Sequence, residues 1–94
     1  MTEPLPELHQ GELDEGTLRA LFDDLERYTE VLDVLVKGAG YANEAPVPLR
    51  EAQAALATGA VRGVQVRYRW DGAEWRDTLM RGPAGVRVVR MRMG

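Results

Sequence analysis

Val-Gln-Val-Arg-Tyr-Arg-Trp-Asp-Gly-Ala-Glu-Trp-Arg-Asp-Thr-Leu-Met-Arg, residues 64–81, is the stretch on which the fold turns. Val64, Val66, Tyr68 and Trp70 alternate with Gln65, Arg67 and Arg69, the period-two pattern of a strand buried on one face. Asp71-Gly72 follows, a dipeptide suited to the positive φ angles of a two-residue hairpin turn. That turn sets Trp70 opposite Ala73, Arg69 opposite Glu74, Tyr68 opposite Trp75 and Arg67 opposite Arg76. The last pair is like-charged and costs stability unless it is splayed or shares an anion. The returning strand, Glu74 to Arg81, runs into Gly82-Pro83-Ala84-Gly85, a second turn. A final strand spans Val86 to Met93, with Val89 and Met91 on one face and Arg90 and Arg92 on the other. The adjacent Val88-Val89 breaks strict alternation, so a bulge or burial on both faces is expected there.

Upstream of the hairpin, Pro48 to Thr58 has the composition of a short helix, with Pro48 in its first turn and Gly59 as its stop. Leu49, Ala52 and Leu56 form its narrow apolar face, with Ala55 on the flank, and such small residues imply close approach to a neighbour. Gly38-Ala39-Gly40 through Pro46 is expected to be a loop. Residues 31–37, Val-Leu-Asp-Val-Leu-Val-Lys, admit two readings. Leu32 and Leu35 continue a helical stripe from upstream, whereas three valines in six residues favour a strand. The strand is preferred because the C-terminal sheet needs partners. A first helix begins after Asp14, a good N-cap, and Leu18, Leu21, Phe22, Leu25 and Tyr28 form its apolar stripe. Residues 1–12 contain two prolines and show no periodicity, which predicts a flexible arm. The expected architecture is therefore a single α+β domain over residues 13–94. Its order is α-β-α-β-β-β, an antiparallel C-terminal meander packed against two helices.

Composition narrows the function classes. The chain of 94 residues is 45% hydrophobic and 29% charged, as expected of one small globular domain. It has no cysteine, which removes disulfides, thiolate metal sites and thiol nucleophiles together. Its one histidine, His9, lies in the arm, so no metal site is expected. No apolar run approaches the roughly 20 residues of a membrane span, and the acidic start does not resemble a signal peptide. Cytoplasmic residence follows as the expectation.

The net charge of −3 is unevenly distributed. Residues 1–47 hold eleven acidic and three basic residues, and residues 48–94 hold four acidic and nine basic. Two candidate binding surfaces follow. Arg67, Arg69, Arg76, Arg90 and Arg92 would line one sheet face, beside Trp70, and guanidinium groups there could take up carboxylates or phosphates. Asp23, Asp24, Glu26 and Glu30 would make an acidic docking face on the first helix, which Asp33 would extend. Tyr68, Trp70 and Trp75 alternate onto the apolar side of the hairpin, where anchoring the core is the expectation. Asp77 shares that row, as a carboxylate among apolar neighbours.

The glycines form no phosphate cradle, since Gly38-Ala39-Gly40 lacks the further glycine of a dinucleotide fingerprint and the Gly82–Gly85 turn lacks the following lysine. No histidine or lysine base stands beside the hydroxyl residues. Leu5-Pro6-Glu7-Leu8 has the spacing of a groove-docking peptide. The expectation is a non-enzymatic protein-interaction module without cofactor or metal, an accessory or adaptor subunit that binds another protein or a second copy of itself. The alternatives are an anionic small-ligand or single-stranded nucleic-acid binder using the arginine face, and an acidic regulatory or inhibitory protein. The acidic first half disfavours nucleic acid.

Overall fold

The computed structural model describes residues 10–38 and 41–94. The elements are β1 (Gln10–Leu13), α1 (Glu15–Tyr28), β2 (Glu30–Gly38), β3 (Tyr41–Pro46), α2 (Leu49–Thr58), β4 (Gly63–Trp70), β5 (Ala73–Gly82) and β6 (Gly85–Arg92). One antiparallel sheet holds all six strands in the order β1-β6-β5-β4-β2-β3. Both helices pack on the same face of it, where the buried apolar residues gather. The molecule is thus a two-layer α+β protein.

Helix α1 starts as its sequence dictates. The Asp14 carboxylate accepts the Thr17 backbone N–H at 2.7 Å, and those hydrogen bonds hold its pKa below the usual carboxylate value. Leu18, Phe22 and Leu25 are buried and Leu21 packs at their margin, while Tyr28, the last helical residue, is exposed. Helix α2 has Pro48 as N-cap and stops at the left-handed Gly59, whose N–H is directed at the carbonyls of Ala55 and Leu56. Ala52, Ala55 and Leu56 are its buried residues, and the small alanines let α2 lie close against its neighbours.

The segment open to two readings is strand β2, because α1 stops at Tyr28 and the chain extends two residues later. Its register against β4 slips between Val31 and Asp33, with Leu32 as the extra residue. The bulge explains an otherwise irregular pattern: it brings Val31 onto the same face as Val34 and Val36, opposite Tyr68, Val66 and Val64.

Two expectations are corrected. The arm expected over residues 1–12 includes the start of a strand, since Gln10–Leu13 pairs with β6; residues 1–9, with the docking motif at 5–8, lie outside the described residues. The loop expected through Pro46 contains β3, which pairs with the outer edge of β2. Tyr41–Pro46 has little apolar alternation, so its strand form is owed to backbone pairing with an open edge rather than to its side chains. Pro46 stands at its end, where an edge strand tolerates a missing N–H.

The hairpin has the predicted register throughout, from Trp70↔Ala73 to Arg67↔Arg76. Asp71 and Gly72 both have positive φ, 52° and 77°, as the favoured two-residue turn requires. The next turn sets Gly82↔Gly85, and from there the register runs without a bulge to Leu79↔Val88, Asp77↔Arg90 and Trp75↔Arg92. Val88 is buried under the helices and Val89 is half-buried on the opposite face, so the Val88-Val89 pair is used on both sides. The same register overturns the placement of Arg90 and Arg92. They share the helix-covered face with Trp75 and Asp77, opposite to Arg67, Arg69 and Arg76.

Candidate functional site: the uncovered sheet face

No described helix lies against the second face of the sheet, and strand register maps its residues. On β6 stand Arg87, Val89 and Met91; on β5 Glu74, Arg76, Thr78 and Met80; on β4 Gln65, Arg67 and Arg69; on β2 Glu30, Asp33, Leu35 and Lys37. Met93 continues β6, its N–H donating to the Glu74 carbonyl at 2.7 Å. Met80, Met91 and Met93 all belong to this face and are 42%, 52% and 41% exposed. Met80 lies over Gly63, where a Cβ would meet its sulfur at 2.6 Å. The missing side chain of Gly63 is what seats the methionine.

The arginines here are not equivalent. Arg67 lies between two carboxylates, Glu74 Oε2 at 3.3 Å and Asp33 Oδ2 at 3.8 Å. Arg69 reaches Glu30 Oε1 at 3.6 Å. Arg76 has no ion pair among the described residues, and its Nε is buried without an acceptor. The like-charge pair Arg67↔Arg76 is thus relieved on one side only. Asp33 and Glu30, from the first half of the chain, thus stand beside cations of the second half on this face.

The acidic docking face does not assemble as expected. Glu30 is the first residue of β2 and faces away from α1's layer, beside Arg69. Asp23 and Glu26 are both held by Arg50 of α2, at 2.9 Å for Asp23. Those contacts and burial act on Arg50 in opposite directions, and the carboxylates prevail, raising its pKa. Asp24 is half-buried, with its charge acting on Arg90.

The tryptophans sit on the covered face, so they cannot stack beside Arg67, Arg69 and Arg76. Trp75 is buried and Trp70 half-buried, their ring centres 6.3 Å apart. Next to them is a group that sequence reading found only in part. Asp77, fully buried, accepts Tyr68 Oη at 2.8 Å and a two-pronged contact from Arg90, Nε at 2.9 Å and Nη2 at 2.7 Å. Burial pushes the Tyr68 hydroxyl far above its ordinary pKa, and the Asp77 charge adds to this. Burial alone would lower the Arg90 pKa, but Asp77 outweighs it and the guanidinium stays charged. A carboxylate in an apolar row was the available signal; counting back from the Gly82–Gly85 turn identifies Arg90 as its partner.

A cleft of about 500 Å³ opens between α1, α2 and the β5–β6 turn, with Leu18, Ala54 and Val86 in its wall and Arg19 and Arg81 at its rim. Arg81 is engaged there by the α2 carboxy terminus, donating to the carbonyls of Leu56 and Ala57. No group of three potential metal ligands occurs among the described residues. None of their helices is long and apolar enough to cross a membrane.

Fold and site together define the chain as a one-sided sheet protein with a methionine-bearing open face. Comparison with known protein families, characterised proteins and solved structures finds no match.

Proposed function

We propose that this protein is a non-enzymatic interaction module of the cytoplasm, an accessory subunit that docks through the uncovered face of its sheet. The observation that carries this reading is the position of Met80, Met91 and Met93, which all stand exposed on that one face with Val89 between the strand ends. Unbranched, polarisable methionines suit contact surfaces that adapt to a partner, and apolar side chains clustered on an exposed face favour association. Charge does not carry the proposal, because Arg67 and Arg69 on this face already have carboxylates.

The test is affinity capture from the native host with wild-type protein and the Met91→Glu variant. A specific protein retained by the first and lost by the second supports docking through this face. Equal retention by both removes the face from the reading. The nucleic-acid alternative draws less support, since Trp70 and Trp75 lie on the opposite side of the sheet from Arg67, Arg69 and Arg76. The acidic-mimic alternative is weakened by the contacts of Asp23 and Glu26 with Arg50.

A further inference from the structure

The open face has the internal pattern of a surface built to meet itself, and we infer that its partner is a second copy of this chain, joined sheet to sheet about a two-fold axis. The inference deepens the docking proposal and rests on it.

Glu74 and Arg76 are two residues apart on β5, so both project from the open face, roughly 7 Å apart along the strand. Each has unused capacity. Glu74 gives Oε2 to Arg67, and its Oε1 has no contact among the described residues. Arg76 has no ion pair among the described residues, and its buried Nε lacks an acceptor. That Nε has no surface for a partner to reach, so an incoming carboxylate would meet the guanidinium through its outer nitrogens. A two-fold axis crossing β5 between these residues, perpendicular to the strands, places Glu74 of each copy against Arg76 of the other. Two reciprocal ion pairs result, as an isologous contact requires.

The neighbouring column agrees. Met91 stands opposite Arg76 and Met93 opposite Glu74, so the same axis brings Met91 of one copy to Met93 of the other. On the far side Arg67 and Arg69 enter with Asp33 and Glu30, their own carboxylates, and like charges do not meet uncompensated.

Charge on the whole molecule favours this occupant over a strongly charged one. Among the described side chains, the open face holds Lys37, Arg67, Arg69, Arg76 and Arg87 against Glu12, Glu30, Asp33 and Glu74, near balance. The helices and their caps carry six acidic residues against three arginines, and pairing through the sheets keeps these layers on opposite outer surfaces. Area suffices as well: six strands span about 24 Å at ~4.8 Å per gap, and strands of this length make a face comparable with the ~800 Å² per partner of stable interfaces.

The test uses light scattering on the full chain, with circular dichroism confirming that each variant folds. Wild type should show twice the chain mass of 10.5 kDa. Arg76→Glu and Glu74→Arg should each weaken self-association roughly tenfold or more, since attraction becomes repulsion in both pairs. An equimolar mixture of the two variants should recover the dimer, because Glu74 then meets Arg76 and the introduced Glu meets the introduced Arg. A contact within one chain cannot produce that recovery. Met91→Glu, at an exposed position opposite Arg76 and two strands from Arg67, should also give monomer, and a retained dimer in that variant counts against the interface. A wild-type monomer up to about 1 mM, or a mixture that stays monomeric, overturns the second-copy inference. If Met91→Glu still loses a captured host protein, the docking proposal survives alone; if neither copy nor host protein binds, both fall.

Discussion

Asp77 and Arg90 are the two charged residues that the described structure buries, and their environment decides what they do. Removing two charges from water costs several kcal/mol per ion, which a two-pronged contact and the Tyr68 hydroxyl offset. Asp77→Ala leaves the Arg90 charge buried and should lower stability by about 3–5 kcal/mol. Asp77→Leu combined with Arg90→Met should recover most of that loss, since an apolar pair avoids the desolvation cost. Urea denaturation of the three proteins checks both statements; a loss in Asp77→Ala as small as that of a surface change, about 0.5 kcal/mol, would remove the pair's structural role. Tyr68→Phe should cost about 1–2 kcal/mol by leaving Asp77 Oδ1 one donor short. It should also change the alkaline limb. Tyr68 is raised in the folded state, so above its unfolded pKa of about 10 the unfolded chain binds fewer protons than the folded one. Stability is therefore fully present below that pH and declines as pH rises beyond it. Urea titrations at alkaline pH should show this decline in wild type and a smaller one in Tyr68→Phe.

Among the elements, β2 and its connection to β3 show how backbone geometry outranks composition. Gly38 has φ +134°, and a Cβ there would lie 2.8 Å from the Arg62 backbone nitrogen. That nitrogen donates to the Lys37 carbonyl at 2.9 Å, so the approach belongs to the β2–β4 pairing and cannot relax cheaply. Gly38→Ala should destabilise the fold by about 2–3 kcal/mol. A urea midpoint unchanged from wild type would show that the close approach is easily released. Helix α2 illustrates the opposite case, in which composition suffices: Pro48 before the first turn, alanines for close packing and Gly59 at the end specify start, face and stop.

For the whole molecule, the decisive property is that both described helices occupy one side. Burial of Phe22, Leu25, Leu56, Tyr68 and Leu79 consolidates that side into one core. The other side keeps a mixed surface of paired ions and exposed methionines, and the capture and variant-mixing experiments address it as one unit. Salt should weaken self-association only in part: raised ionic strength screens the Glu74–Arg76 contacts but leaves the Met91–Met93 contact. A light-scattering series from low to high salt checks this, and complete dissociation by modest salt would assign the affinity to ions alone.

Local chemistry was enough to set the two helices, the strand after the first of them and the hairpin with its register. Each is encoded by neighbours in the chain: a cap at Asp14, valines at 31, 34 and 36, alternation from Val64, and a turn at Asp71-Gly72. Alternation states which residues share a face of one strand, but not which face meets the helices. Register carried across the Gly82–Gly85 turn decided that for the last strand, sending Arg90 inward to Asp77. Strands β1 and β3 likewise exist because unpaired edges of β6 and β2 offered hydrogen bonds to segments with weak patterns of their own. Long-range pairing also brought Glu30 and Asp33 to Arg69 and Arg67, so that charge separated along the chain became charge balance on a surface.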